Sequence, residues 1–134
     1  MSEREETAAL LGTARDELRQ RLMPGLAGED RYLAAMIANC MAIAARVLER
    51  GEETTEAERR ALAGLYGSEI GELPLEALRR RLARDIRRGL FDGEPEVRLK
   101  QALEVRIRAR LAIADPARLR APGGETSGRG AIAP

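Results

Sequence analysis

The sequence has no histidine and no tryptophan, and its 134 residues include one cysteine, Cys40, and one phenylalanine, Phe91. Histidine is the usual proton shuttle near neutral pH and the commonest metal ligand. Its absence excludes the Ser-His-Asp triad, zinc sites with histidine ligands and the Glu-x-x-His di-iron bundle. The remaining polar residues form no catalytic constellation. We therefore predict a protein that is not an enzyme and that holds no cofactor and no metal.

Signals for secretion or membrane insertion are also lacking. One cysteine cannot form an internal disulfide, and the acidic start, residues 1–6, lacks the basic and apolar regions of a signal peptide. The longest apolar run, Tyr32 to Ala45, is interrupted only by Asn39 and is flanked by Arg31 and Arg46. Its 14 residues are too few to span a bilayer, which needs about 20. The sequence predicts a soluble cytoplasmic protein with a buried core helix over this run and no membrane partner.

The charge is balanced overall, at +1, but not along the chain. Residues 1–73 carry a net charge of −5, whereas residues 74–120 carry +6. Either the two halves attract each other, within one subunit or across a dimer, or the basic half presents a surface to an anionic partner. The first interpretation is favoured. Lys100 is the single lysine, so nearly all basic residues are arginines. This preference for arginine is typical of GC-rich bacterial genomes, and the arginine count by itself therefore indicates little about function.

The apolar residues predict an all-α fold. Eighteen leucines stand against ten valines and isoleucines, and no segment alternates like a half-buried strand. Residues 121–134, rich in glycine and proline, are expected to form a disordered tail. Glycine and proline divide residues 1–120 into five helices of one bundle-like domain, at about 3–23, 30–50, 55–67, 74–89 and 95–114.

The second predicted helix is apolar around most of its circumference, so we expect it to be central and the most buried. Any surface of it that five helices leave uncovered would be an apolar interface, so the sequence also predicts a homo-oligomer. The first and third predicted helices begin at capping boxes, Ser2 with Glu5 and Thr55 with Glu58.

Asn39 is the one polar side chain inside the apolar run of this second helix. We predict a buried amide that a neighbouring backbone group satisfies; the alternative is an amide that orients a ligand. Cys40 beside it has no histidine to act as its base, so a buried and inert thiol is expected.

Arginines dominate one side of the fourth predicted helix. At 100° per residue its apolar residues form a single stripe, and the arginines project from the far side. These arginines are Arg80, Arg81, Arg84, Arg87 and Arg88. A solvated face is the favoured interpretation, and an anion or partner site at Arg80, Arg84 and Arg87 is the alternative. The turn over 67–72 is too long for a helix-turn-helix and no aromatic residues interleave, so no nucleic-acid partner is expected.

Arg110 falls within the apolar stripe of the fifth predicted helix, which Leu99, Leu103 and Ile107 define, and Arg106 lies at its edge. A guanidinium in a stripe that faces the core must find a carboxylate, a carbonyl or a ligand anion. We favour an ion pair within the protein or across an interface. A ligand anion bound by both arginines is the alternative.

Four segments resemble a small all-helical bacterial family of domains of unknown function. They are LRQRLMPGL from Leu18, YLAAMIANCMAIAARVLERG from Tyr32, LARDIRRGLFDG from Leu82 and RARLAIADPARL from Arg108. The resemblance extends over about residues 7–120. This chain differs from the family pattern at two places, where it has Asn39-Cys40 for Asn-Ala and Asp115-Pro116 for Asn-Pro.

Members of that family occur alone or fused to kinases of the aminoglycoside-phosphotransferase type, and near acyl-CoA dehydrogenases. The resemblance therefore implies an accessory role beside a phosphotransferase-like or acyl-CoA-metabolising enzyme, and it supplies no catalytic residues. The sequence thus leaves two hypotheses. One is a non-catalytic helical interaction module. The other is a small-molecule or anion-binding protein that uses the arginines of the fourth and fifth predicted helices.

Overall fold

The structure is a computed structural model that describes residues 1–120, except for the side chains of residues 68 and 69. The described residues contain five α-helices and no strand, so the predicted all-α class is confirmed. The predicted tail, residues 121–134, lies outside the described residues. The helices are α1 (Glu3–Glu17), α2 (Gly28–Ala63), α3 (Leu75–Arg87), α4 (Glu96–Ala114) and α5 (Pro116–Arg120).

Helix α1 begins at the predicted capping box. The Ser2 hydroxyl accepts a hydrogen bond from the Glu5 backbone N–H at 3.3 Å, and the Glu5 carboxylate accepts one from the Ser2 backbone N–H at 2.7 Å. The chain remains helical after α1, through a π-helical turn at Leu18–Leu22 and a 3₁₀ turn at Met23–Gly25. The first helical segment therefore extends to the predicted Pro-Gly stop, but its last turns are not α-helical.

Helix α2 corrects the predicted division of the chain. Its 36 residues run through the predicted break at 51–55, so the second and third predicted helices are one. Gly51 keeps a negative φ, and Thr55, the predicted start of a new helix, lies inside α2. The neighbouring Thr54 hydroxyl donates to the carbonyls of Arg50 and Gly51 within the same helix. Glu58, predicted to be a capping residue, is buried and pairs with other helices. Tertiary contacts outweigh the local stop and start signals here.

The other helices pack against different halves of α2. Arg4 at the start of α1 pairs with Glu52, so α1 runs antiparallel along the first half of α2. Helix α4 runs antiparallel along the second half, because Arg98 near its start donates to the Gly64 carbonyl at 2.8 Å. At its other end the Ile113 carbonyl accepts from Arg46. Helix α3 also packs against the second half of α2.

The hydrophobic core therefore lies at the C-terminal half of α2. Its buried members are Leu62, Ile70, Leu78, Leu82, Phe91, Leu99 and Ala102. The prediction that residues 30–50 form the most buried helix is wrong, because within that range only Ala34 and Ala38 are buried. The reason is that α1 and the turns after it cover one side of this half of α2, while the core formed with α3 and α4 lies at the other half. Asn39 and Cys40 are both exposed, so the predicted buried amide and buried thiol are wrong as well.

Prolines and glycines place the remaining helix ends close to their predicted positions. Pro74 and Pro95 immediately precede α3 and α4. Gly89 and Gly93, between these helices, have φ values of +78° and +81°, which L side chains rarely adopt. Asp115 ends α4 as predicted, but Pro116 then begins the short helix α5, which the sequence pattern did not indicate.

Candidate functional site

A buried carboxylate joins three helices. Glu58 of α2 is 3% exposed, and Arg79 of α3 donates to its two oxygens at 2.9 and 2.7 Å. The Arg106 Nε of α4 lies 3.1 Å from the same carboxylate. A buried carboxylate is tolerated only with such partners. Glu58 therefore fixes α3 and α4 on α2 and is a structural group, not a free acid or base.

A second buried carboxylate holds the far end of α3. The Tyr66 hydroxyl donates to Asp85 Oδ2 at 2.7 Å, and Arg84 Nε lies 3.4 Å from Oδ1. This hydrogen bond from Tyr66, more than the nearby arginines, holds the pKa of Asp85 below its usual value. Burial, and then the contact with Asp85, raises the pKa of Tyr66. The Arg81 guanidinium stacks over the Tyr66 ring at 4.8 Å.

Sequence reasoning missed this cluster. Its one usable signal was Asp85 itself, an isolated acid inside a run of arginines on α3. The pairing with Tyr66 depends on α3 lying parallel to the end of α2. Arg79 faces Glu58 and Asp85 faces Tyr66, which is a long-range arrangement.

The predicted arginine face on α3 is present, and most of it is open to solvent. Arg80, Arg84 and Arg87 are exposed and together line a hollow of about 740 Å³ beside Leu73 and Ala77. Arg88 is exposed too, whereas Arg81 is half-buried against Tyr66. The candidate residues on α3 therefore do lie side by side.

The two candidate arginines on α4 have exchanged their predicted roles. Arg106, placed by the sequence at the edge of the stripe, pairs with Glu58. Arg110, placed inside the stripe and expected to be paired, is exposed and has no ion pair or hydrogen bond with another described residue. Arg106 lies at the level of Glu58 and Arg79, whereas Arg110 lies one turn further along α4.

Arg110 instead stands at the rim of two shallow hollows. One, of about 310 Å³, is lined by Leu103, Arg106, Ile107 and Arg110. The other, of about 260 Å³, includes Glu58 and Arg79 among its lining residues. Neither hollow includes Arg80, Arg84 or Arg87. The structure therefore separates the predicted anion site into an α3 set and an α4 set.

Among the described residues, an apolar stripe on the first half of α2 is left about half exposed. At 100° per residue its members fall within an arc of about 120°. We call it the open stripe, and it consists of Leu33, Met36, Ile37, Cys40, Ile43, Ala44 and Val47. Leu33, Met36, Ile37 and Val47 are 46–51% exposed, and Tyr32 beside them is 66% exposed. The same side of α2 continues through Thr54, Glu58 and Ala61, where α3 and α4 cover it.

The open stripe gives α2 a hydropathy typical of a membrane helix. An 18-residue window of α2 has a mean hydropathy of 1.4 with 11% of it buried, so by length and composition alone the helix passes as a membrane span. The uncharged run Tyr32–Ala45 is shorter, about 21 Å at 1.5 Å per residue, against an apolar bilayer core of about 30 Å. Arg46, which ends the run, donates to the Ile113 carbonyl of α4.

These features define a small all-α domain in which one long helix binds two helices on one half and leaves an apolar stripe open on the other. No group of three or more Cys, Asp and Glu side chains within the described part of the chain is placed to hold a metal ion. The chain belongs to the family described as Domain of unknown function (DUF6285), whose profile matches residues 24–118. No curated protein and no solved structure shows a significant match.

Proposed function

We propose that this protein is a non-catalytic helical interaction module, and that the open stripe binds a helix of another polypeptide chain. One observation carries the proposal. A single side of α2 packs against α3 and α4 over its second half, whereas over its first half the side chains of Leu33, Met36, Ile37 and Val47 remain about half exposed. Apolar patches of this extent on small domains mark interaction sites.

The size of the patch supports a protein partner. Tyr32, Leu33, Met36, Ile37 and Val47 together expose roughly 500 Å², which is near the upper end for a monomer without an interface. At about 25 cal/mol per Å², burying this area supplies about 12 kcal/mol before the costs of association are subtracted. Those costs are of similar size, so binding needs a partner surface of matching shape.

We further propose that the partners include a larger cytoplasmic enzyme of the phosphotransferase-like or acyl-CoA-metabolising kind. The support is the resemblance of four segments to a family whose members occur beside such enzymes. The sequence composition adds to it, because a chain without histidine offers few groups for chemistry of its own. In this role the chain acts on the assembly or stability of the enzyme.

A photo-crosslinking experiment tests the module. A benzophenone amino acid at Met36 places the reactive group on the open stripe, and the same group at Arg31 places it at an exposed position outside the stripe. We expect a protein adduct from position 36 in the source cells and none from position 31. No adduct from position 36, or equal adducts from both positions, would remove the basis of the proposal.

The anion-binding alternative rests on the shared hollow of Arg80, Arg84 and Arg87. Guanidinium groups side by side match phosphate oxygens well. Coenzyme A or ATP should then raise the melting temperature of the wild type, by mass action on the folded state, and not that of Arg84→Gln. Equal melting temperatures with and without these ligands would leave the α3 arginines as a solvated face.

A further inference from the structure

We infer that the open stripe is the contact between two copies of this chain, which meet as a symmetric antiparallel pair of α2 helices centred near Cys40. The inference rests on the proposed function and names one partner for it. In such a dimer the open stripe is buried, and it is exposed only in the isolated chain.

The residue spacing is that of a helix-pairing seam. Positions 33, 37, 40, 44 and 47 alternate steps of four and three, as coiled-coil contact positions do. The same alternation continues through 51, 54, 58 and 61, and there the seam is occupied by α3 and α4. The C-terminal half of the seam thus already packs against other helices. The open half has the same residue spacing.

The positions of α3 and α4 select the antiparallel orientation. Both helices lie on the seam side of α2, where Glu58 contacts Arg79 and Arg106. Two parallel copies facing each other along the seam would bring both α3–α4 pairs to the same level, where they would collide. In an antiparallel pair with Cys40 opposite Cys40, Gly28 of the second copy is level with residue 52. The second α2 therefore meets the covered part of the seam only near its own first turns, at the level of the end of α4, where the Ile113 carbonyl accepts from Arg46.

The charges at the two ends of the stripe favour the same orientation. Glu29 and Asp30 lie in the first turn of α2, before the stripe, and Arg50 lies beyond its other end. All three side chains are exposed. Antiparallel pairing brings each acidic end next to Arg50 of the other copy, whereas parallel pairing would place like charges together. Opposite charges at the rim of an apolar contact set its orientation.

The available area suits a second copy better than a lipid surface. Each chain offers roughly 500 Å² on the stripe and Tyr32 beside it, so a symmetric pair that covers both patches buries about 1,000 Å², about the minimum for a specific interface. A lipid would have to accommodate an apolar run about 9 Å shorter than the bilayer core. It would also have to accommodate Arg46 and the helices α1 and α4 that pack beside the run.

Thiol cross-linking tests both the contact and its orientation. In a Cys40→Ser background, one chain carries Leu33→Cys and a differently tagged chain carries Val47→Cys. After refolding together, a short bismaleimide should join the two tags, and neither variant alone should form a cross-linked dimer. Wild type should cross-link through Cys40 itself. Dimers of Leu33→Cys with itself would overturn the antiparallel arrangement, and no cross-link in any combination would overturn the contact.

Light scattering provides an independent readout. Wild type should be a dimer at micromolar concentration, Met36→Glu should be a monomer with unchanged helical content, and Ala35→Glu should remain a dimer. Ala35 is the matched control because it is exposed on the same helix but lies outside the stripe. A monomeric wild type, or one that floats with phosphatidylglycerol vesicles, would overturn the inference. If wild type proved monomeric, a cross-linked protein adduct from position 36 would still support the proposed function. A monomeric wild type that forms no such adduct would contradict both the dimer and the proposed function.

Discussion

Replacing Glu58 by glutamine tests whether the buried carboxylate holds α3 and α4 on α2. The substitution keeps the shape of the side chain and removes its charge. Two charge-assisted hydrogen bonds from Arg79, at 2.9 and 2.7 Å, and the approach of Arg106 at 3.1 Å depend on that charge. The side chain of glutamine also carries an NH₂ group, which would face one guanidinium. Both groups are hydrogen-bond donors, so the hydrogen bond between them is lost.

The magnitude follows from the burial of the three groups. Breaking a fully buried ion pair costs about 3–5 kcal/mol. Glu58 meets that condition at 3% exposure, but the Arg79 and Arg106 side chains are each 35% exposed, so water restores part of their solvation. We expect Glu58→Gln to lower the free energy of unfolding by about 2–3 kcal/mol. At about 4 °C per kcal/mol for a domain of this size, the melting temperature should fall by about 8–12 °C.

Urea and thermal unfolding, followed by circular dichroism at one protein concentration, measure this loss. Glu56→Gln is the matched control, because Glu56 lies on the same helix and pairs with Arg59 and Arg60 within that helix. Its side chain is 41% exposed, so its loss should be a small fraction of the Glu58 loss. The reasoning fails if Glu58→Gln is as stable as wild type, or if the control is equally destabilised.

Three further predictions concern other parts of the fold. Arg110→Met should leave the free energy of unfolding within about 0.5 kcal/mol of wild type, since Arg110 is exposed; a loss above about 2 kcal/mol in urea unfolding would mean that it is paired in the core. Gly89→Ala should destabilise by about 1–2 kcal/mol because φ is +78°, whereas Gly12→Ala in α1 should stabilise by about 0.5–1 kcal/mol. Equal effects of the two glycine changes in thermal unfolding would contradict this. The pKa of Asp85 is lowered by its bond from Tyr66, so its contribution should be complete above about pH 5 and be lost as acid protonates it. Tyr66→Phe should flatten that acid-side decline in a pH series of unfolding curves, and an unchanged slope would count against the assignment.

The sequence by itself determined the features that depend on neighbouring residues. The all-α class follows from leucine and alanine content, and the capping box at Ser2 forms because its two members lie within one turn. Pro74 and Pro95 set the starts of α3 and α4 for the same reason, because proline fixes its own φ and favours a first helical turn. The family resemblance also rested on short local segments, and the match over residues 24–118 confirms its coarser part, membership of a family of domains of unknown function.

Only the tertiary structure decided which side of each helix is buried. Periodicity placed Arg110 and Arg106 by angle alone, but pairing depends on where the packing of the helices places the Glu58 carboxylate, and so Arg106 is the residue that pairs with it. Gly51 and Thr55 carry ordinary stop and start signals, yet α2 continues through them. Such signals are worth about 1 kcal/mol each, less than the packing of α3 and α4 on a continuous helix. The most apolar segment of the chain is left half-exposed for a similar reason. Hydrophobicity favours the burial of an apolar face, but the tertiary structure determines which element covers it.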